Sequence, residues 1–348
     1  MPKHMSRKGK LHGDSIPWLL EIDTSQPTIR YFTLLDILDR SKNDKELKDT
    51  KTAIMSSGPV PAILTAQKQE GFWDKPGAGY GPKYRGTQWA IVFIAQLGAD
   101  GTDPRVRAGC EYLLSHAISV NGSLSMNGTP SGFIHCMAGN LGSALIDLGW
   151  LGDQRLWEAM EWLALTITGE GIADSTNRET KKRYYKSGTS APLFTCSVNA
   201  DLPCAWGAIK AMLAPSKVPS SLRTQGMQAA IQQGIAFLLS HNPAIADYPF
   251  GMGSRPNSSW FKFGFPLGYI TDVLQNLEVL AYLDQAQNPK LAQALELVIN
   301  KQDEQGRWML DYSYNGKTWV DIEKKGQPSK WVTLRALRVL KAAFPEPR

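Results

Sequence analysis

The sequence contains no long apolar run. A helix that spans a membrane needs about 18 or more consecutive, predominantly apolar residues, and no such stretch occurs among the 348 residues. Cysteine is scarce too, because four in a chain of this length are too few for a disulfide scaffold. With no apolar segment that resembles an export signal, we predict reduced thiols, no membrane span and a cytoplasmic location.

Outside the N-terminal segment, the chain also has little excess of positive over negative charge. Lys3, Arg7, Lys8 and Lys10 supply four of the net +6 charges, so the rest of the chain is nearly neutral. No nucleic-acid partner is therefore predicted. Because no apolar core follows these charges, we predict a disordered basic tail at 1–13 and a single domain at 14–348.

Two further patterns are missing. No segment shows sustained alternation of apolar and polar residues, so almost no β-sheet is expected. The sequence has no Gly-x-x-x-x-Gly-Lys-Ser/Thr loop, and the glycine-rich stretch at 77–81 follows no predicted strand. Chemistry that depends on ATP, nicotinamide or flavin is therefore not supported.

The sequence does contain a repeated unit. Residues 302–308 read Gln-Asp-Glu-Gln-Gly-Arg-Trp and lead through a loop into an apolar helix, and residues 67–73 read Gln-Lys-Gln-Glu-Gly-Phe-Trp and do the same. Two copies this far apart predict a repeat architecture. In each copy the glutamine is expected to bond backbone at a helix end, and the tryptophan to fill the gap between helix pairs.

The predicted helices are of two kinds. Helices that are apolar nearly all round are typically buried, and helices with one apolar stripe are peripheral. The alternation of the two kinds predicts two concentric rings, whereas the charged segment 40–51 is interpreted as a connection. The buried kind is predicted at Pro27–Leu38, Gly86–Leu97, His135–Leu148, Pro203–Leu213, Leu267–Leu283 and Ser329–Ala343, and the striped kind at Asp103–Ser115, Asp153–Leu165, Thr224–Ser240 and Asn288–Lys301.

The repeated turn resembles the QW-type repeat of squalene and oxidosqualene cyclases and of protein prenyltransferase β-subunits. The matching residues are Gln302, Gly306 and Trp308 in one copy. In the other copy they are Gln67, Gly71 and Trp73. The resemblance extends over roughly residues 15–345. It implies an all-α (α/α)6 toroid, with six inner and about six outer helices around a central apolar cavity.

The sequence departs from these families where their chemistry lies. It has no Asp-x-Asp-Asp cluster, which hopene-forming cyclases use to protonate an alkene, and no Asp-x-x-Asp-Asp/Glu magnesium motif. It also lacks the Asp-x-Cys pair that holds zinc in protein prenyltransferases, since Asp201 and Cys204 have a different spacing. The chain as a whole resembles stand-alone bacterial prenyltransferase/squalene oxidase repeat proteins, whose chemistry the repeat does not define.

One constellation predicts a metal site. His135 and Cys136 begin the third buried helix, and Cys196 and Cys204 flank the start of the fourth. Neighbouring inner helices open at the same end, so these four side chains are expected to meet at the cavity rim. Thiolates and imidazole are the ligands that zinc prefers, so a catalytic or a structural zinc is predicted. The alternative is that the cysteines are small buried fillers.

Other candidate residues are polar or aromatic groups on or near the buried helices. Asp272, in an apolar run, is a candidate acid, His135 a candidate base, and Tyr80 a third catalytic candidate. Aromatic walls stabilise carbocations in cyclases, although such side chains are also ordinary core. The predicted substrate-binding residues are Trp89, Asn140, Trp206, Phe265, Tyr269 and Trp331.

Three functions remain open at the level of the sequence. The first is an enzyme that acts on a small, largely hydrophobic, isoprenoid-like substrate in the cavity, with zinc at its rim. The second is a metal-free terpenoid cyclase or prenyl-transfer relative that uses Asp272 or His135. The third is a non-enzymatic protein that binds a lipid or another hydrophobic ligand.

Overall fold

The computed structural model describes residues 7–185, 190–251, 253 and 257–346. They form two compact units. The terminal unit takes in the described residues of 1–63, 242–246 and 257–348, and the central unit those of 64–241 and 247–256. Both units are built mainly from helices, as the sequence predicts.

The helices follow one another along the chain with few strands between them. The helices are α1 (Ile16–Leu19), α2 (Pro27–Phe32), α3 (Lys45–Ser56), α4 (Pro59–Thr65), α5 (Thr87–Gln96), α6 (Pro104–Ala117), α7 (His135–Asp147), α8 (Gln154–Thr168), α9 (Ala205–Lys217), α10 (Gln225–Leu238), α11 (Val273–Tyr282), α12 (Ala292–Asn300) and α13 (Lys330–Ala343). A π-helical turn, Thr33–Ile37, extends α2. Two antiparallel ladders pair β1 (Thr195–Cys196) with β2 (Leu202–Pro203) and β3 (Trp308–Met309) with β4 (Pro328–Ser329).

The helices α5, α7, α9, α11 and α13 are buried almost all round, whereas α6, α8, α10 and α12 bury one face. On α6 the positions Val106, Cys110, Leu113 and Leu114 are all buried. This spacing of three and four residues is the apolar stripe of a peripheral helix. The structure therefore has the two kinds of helix that the sequence predicts.

Three of the striped helices, α6, α8 and α10, begin at side-chain caps. The carboxylates of Asp103 and Asp153 each accept a hydrogen bond from the backbone N–H two residues on, and Thr224 accepts one from the Met227 N–H. Such caps satisfy N–H groups that the first turn of a helix leaves without a partner. The cap residues therefore fix where these helices start.

The segment predicted as a charged connection contains a helix. Residues 45–56 form α3, and the Asp44 carboxylate caps it by accepting from the N–H groups of Glu46 and Leu47. Its buried face is narrow, with Leu47, Thr50 and Ile54. The prediction was wrong because the charges of 40–51 cover the exposed side of an amphipathic helix and hide its short stripe.

The two repeat turns share one contact, from the tryptophan backbone N–H to a threonine of the helix that follows, and differ in the partners of the glutamine. In the central unit, Gln67 Nε2 donates to the carbonyl oxygens of Gly71 (3.0 Å) and Arg105 (2.9 Å). Trp73 is fully buried, and its backbone N–H donates to Thr87 Oγ1 at the start of α5 (3.1 Å). The turn is thus fastened to the helix that follows it.

In the terminal unit, Gln302 Nε2 donates to the carbonyl oxygens of Ile299 (2.9 Å) and Lys10 (3.1 Å). Trp308 is fully buried, and its backbone N–H donates to Thr333 Oγ1 of α13 (3.0 Å). Of the predicted tail, residues 7–10 form a 3-10 turn that the Gln302 bond holds, and residues 1–6 lie outside the described part of the chain.

Within each unit the buried helices pack side by side. In the central unit α7 lies between α5 and α9, and in the terminal unit α13 contacts α11 and α2. The approach of α7 to α9 is very close, because a Cβ on Gly139 would lie 2.0 Å from the Lys210 carbonyl oxygen. Only glycine allows the two backbones to come so near at this point.

No helix among the described residues is long and apolar enough to cross a membrane.

Candidate functional site

Three of the four cysteines lie together in the central unit. Cys136 is the second residue of α7, Cys196 ends β1, and Cys204 is the N-cap of α9. The β1–β2 ladder pairs Cys196 with Leu202, and the Cys204 N–H donates to the Phe194 carbonyl oxygen (2.9 Å). The ladder therefore holds Cys196 and Cys204 side by side, and the close packing of α7 on α9 brings Cys136 near them.

The thiols of Cys196 and Cys204 are hydrogen-bonded to each other. The Cys204 thiol donates a hydrogen bond to the Cys196 sulfur, and this bond lowers the pKa of Cys196 against the opposing effect of burial. The same bond, with burial, raises the pKa of Cys204. Burial also raises the pKa of Cys136, although the nearby charge of Lys210 opposes this increase. Of the three, Cys196 is the thiol that ionises most readily.

A buried lysine stands beside this cluster. Lys210 is 1% exposed and lies one turn after Trp206 on α9, with its Nζ 5.9 Å from the centroid of the indole ring. Lysine is seldom fully buried unless it has a partner. Its positive charge near Cys136 makes the site favourable for thiolate and for other anionic groups.

The His135 ring contacts Thr166 and two phenylalanines. Its Nε2 lies 3.2 Å from Thr166 Oγ1, and the threonine hydroxyl donates to the Leu163 carbonyl oxygen (2.7 Å), so the ring nitrogen is the donor. The ring packs edge-on against Phe133 and Phe194. Burial lowers the pKa of His135 to about 4, so the imidazole is neutral at pH 7.

In its contacts His135 is separate from the other three predicted zinc ligands. Consecutive residues on a helix point about 100° apart, so His135 and Cys136 diverge although they are adjacent in sequence. Within the described part of the chain, no three or more His, Cys, Asp or Glu side chains are grouped so that they could hold a metal ion. The zinc and its four ligands stay a prediction.

Asp272 in the terminal unit is bound on every side. Its carboxylate caps α11 by accepting from the Gln275 N–H (2.7 Å), accepts from the Gly264 N–H (3.2 Å) and pairs with both terminal nitrogens of Arg335 (2.9 and 3.0 Å). Glu278 takes the remaining side of the Arg335 guanidinium at 2.7–3.1 Å. A carboxylate with these partners is well suited to hold the structure together and poorly suited to donate a proton.

The guanidinium of Arg335 is the centre of this charge cluster. Arg335, Asp272 and Glu278 are 2%, 3% and 8% exposed. Burial disfavours the charged guanidinium, but the charges of Asp272 and Glu278 outweigh it and raise the pKa of Arg335. The Gly264 carbonyl oxygen accepts a further bond from Arg335 Nη1 (2.8 Å), so all five N–H groups are used.

Aromatic candidates lie in both units. In the terminal unit the rings of Phe265 and Trp331 stack with centroids 3.8 Å apart, and the Trp331 indole N–H donates to Gln26 Oε1 (2.8 Å). Tyr269 is partly buried just before α11. These contacts are those of core side chains, and nothing in them distinguishes a substrate surface from packing.

In the central unit, Trp89 is buried at the start of α5 and donates its indole N–H to the Tyr80 carbonyl oxygen (3.0 Å). The rings of Tyr80 and Tyr84 lie 5.4 and 5.0 Å from that of Trp89. Asn140 is buried on α7, one turn after Cys136. Asn140 and Trp206 are therefore the predicted substrate residues on the helices that carry the thiols.

Buried charged residues that the sequence analysis does not single out include Lys210, Glu278 and Arg335. Lys210 and Glu278 lie in largely apolar stretches, which is the signal that singled out Asp272, whereas the helix of Arg335 also carries Lys330, Arg338 and Lys341. Outside the candidate residues, a groove of about 680 Å³ in the terminal unit is lined by residues of α2, α3 and the preceding loop, among them Asp23, Arg30 and Glu46. It contains none of the predicted residues.

No family model matches the chain, and no curated protein matches it. Solved structures that the chain resembles include the type II terpene cyclase MstE from Scytonema, which is 14% identical, with a TM-score of 0.45 over 92% of this chain and 88% of that one. A variant of MstE in complex with its substrate, geranylgeranyl dihydroxybenzoate, gives 14% identity and a TM-score of 0.44 over the same shares.

The resemblance to terpenoid cyclases that the repeat turns indicate is thus found in the comparison of structures as well. With an identity near 14% and a TM-score below 0.5, this likeness carries no argument about what the chain binds or does.

Proposed function

We propose that this protein is an enzyme that acts on a small, largely hydrophobic, isoprenoid-like substrate, with its reactive centre at the thiols of Cys136, Cys196 and Cys204. The observation that carries the proposal is the packing of α7 on α9, which brings the thiols at the starts of the two helices within electrostatic reach of one another and of the buried Lys210. Buried ionisable groups with perturbed pKa values are typical of functional sites. The proposal includes a squalene-cyclase-like (α/α)6 toroid, in keeping with the side-by-side order of the buried helices in each unit.

Zinc at these thiols is a further part of the proposal. Thiolates are the donors that zinc prefers, and three of them would leave a coordination position for substrate or water, at which the metal would act as a Lewis acid. The thiols as they stand fit it only in donor type, because the Cys204 thiol is hydrogen-bonded to Cys196 and also accepts the Gly207 N–H (3.3 Å).

Two alternatives are weaker. A metal-free cyclase or prenyl-transfer relative would need an acid or base, but Asp272 is bound by Arg335 and two backbone N–H groups, and the pKa of His135 is lowered to about 4 by burial. A protein that only binds a hydrophobic ligand remains a candidate, and turnover of substrate separates it from an enzyme.

The test combines metal analysis with turnover. The purified protein is incubated with prenyl alcohols, prenyl diphosphates and geranylgeranyl dihydroxybenzoate, and products are detected by mass spectrometry. We expect turnover that is lost in Cys136→Ala and Cys196→Ala and kept in Cys110→Ala, since Cys110 lies on α6. Binding without product by the parent would favour the ligand-binding alternative, and full turnover by both site variants would remove the thiols from the mechanism.

About one zinc per chain, lost in Cys136→Ala, would support the metal part. A metal-free protein with unchanged turnover would refute that part and leave the thiol centre in place.

A further inference from the structure

We propose that Cys196 and Cys204 form a thiol–disulfide exchange site for small disulfides, at which Cys196 is the attacking thiol and Cys204 the resolving one. This inference rests on the geometry of the pair. It is compatible with the thiol centre of the proposed function and excludes the zinc at that centre. It concerns the segment 194–204, which folds back on itself just before α9.

The ladder puts both sulfurs on one face of the hairpin. Cys204 lies opposite Phe194 and Cys196 lies two residues further along the same strand, so the two cysteines are diagonal neighbours. Diagonal side chains on one face of an antiparallel pair are within reach of each other. The Cys204 thiol also interacts with the Cys196 sulfur as a hydrogen-bond donor, in keeping with this placement.

The two thiols differ in their surroundings. Both are partly exposed, and Cys196 lies in a hairpin whose Val198 and Leu202 are 53% and 40% exposed. Cys204 lies at the N-terminus of α9, where its sulfur accepts the Gly207 N–H. A thiol on an exposed hairpin beside a thiol held at a helix end is an arrangement in which a small disulfide reaches the first and the second then displaces it.

The other cysteines do not offer such a pair. Cys110 is fully buried on α6. Cys136 acts on the pair through its charge, and its hydrogen bonds are with backbone groups of Cys136 and Met137.

The exchange is balanced in two steps. The Cys196 thiolate attacks one sulfur of a disulfide RSSR, the S–S bond breaks, and one RS⁻ leaves and takes up the proton that Cys196 gave to the solvent. The Cys204 thiolate then attacks the Cys196 sulfur, which releases the second RS⁻ and forms the Cys196–Cys204 bond. Two protein thiols are oxidised, and one RSSR is reduced to two RSH.

Glutathione buffers of graded ratio test the proposal on the full-length protein. After equilibration, free thiols are blocked with N-ethylmaleimide, the protein is digested, and the linked cysteines are identified by mass spectrometry. We expect a reversible Cys196–Cys204 disulfide in the parent and in Cys110→Ala. In Cys204→Ser, which keeps an oxygen at the cap of α9, we expect a stable mixed disulfide of glutathione on Cys196.

Several outcomes would overturn the proposal. They are two free thiols at every buffer ratio, a disulfide that involves Cys136, or a Cys204→Ser protein that forms no adduct at Cys196. Metal content is measured in the same samples, because protection of the thiols by a bound metal would also overturn the exchange site. Circular dichroism of each variant shows whether it is folded before its thiols are compared.

Discussion

The buried histidine makes the stability of the central unit depend on pH. His135 is held neutral, with its pKa lowered by burial from 6.5 to about 4. In the unfolded chain the imidazole takes up its proton near pH 6.5, so between pH 6.5 and 4 the unfolded state binds more protons than the folded one. The contribution of the neutral His135 to the unfolding free energy is therefore complete above pH 6.5 and is lost as the pH falls through about 4.

The size of this effect follows from the pKa difference. One pKa unit corresponds to about 1.4 kcal/mol, so His135 alone should remove about 3 kcal/mol of unfolding free energy between pH 7 and pH 4. We expect the unfolding free energy of His135→Gln, measured by urea denaturation, to fall less steeply over this range than that of the parent. Carboxylates contribute equally to both proteins, and their effect cancels in the difference.

The control is His116→Gln, which removes an exposed histidine of the same unit. Its pH dependence should follow that of the parent. The argument from burial would be refuted if the parent and His135→Gln differed by a constant amount at every pH. It would also be refuted if NMR titration placed the pKa of His135 near 6.5.

Three further substitutions test the packing and the buried polar contacts. Gly139→Ala should destabilise the protein by about 1–3 kcal/mol, because its Cβ would lie 2.0 Å from a carbonyl oxygen of α9. The control is Gly152→Ala, which has open space around it and should be nearly neutral in thermal unfolding. Arg335→Leu leaves two carboxylates buried without their cation and should cost about 3–5 kcal/mol in denaturant unfolding; a loss below 1 kcal/mol would mean that the cluster is hydrated. Thr333→Val removes the acceptor of the Trp308 backbone N–H and should cost about 1–3 kcal/mol, and an unchanged melting temperature would show that another acceptor replaces it.

The helices were predictable because their signals are local. The stretch that became α7 is apolar nearly all round, and Asp103 followed by proline marks the start of α6 within one residue. The π-helical turn at Thr33–Ile37 carries no such signal and was included in the first predicted helix. The prediction for segment 40–51 was wrong because the charged residues on the exposed side of its helix resemble the composition of a loop.

The candidate site was predictable only in part. The grouping of the cysteines could be foreseen from the positions of Cys136 and Cys204 at the starts of neighbouring buried helices. The direction of His135 could not, because adjacency in sequence says nothing about the face of a helix that a side chain occupies. The partnership of Asp272 with Arg335 joins residues 63 positions apart, so it depends on packing that no local pattern encodes.

In each repeat, a hydrogen bond from the tryptophan backbone N–H to a threonine sets the position of the following helix, whatever the length of the loop between them. The bond spans 14 positions between Trp73 and Thr87 and 25 positions between Trp308 and Thr333, yet in both repeats it fixes the helix against the preceding turn. The same anchor is therefore compatible with connecting segments of quite different length, so the length of the segment does not determine where the helix begins.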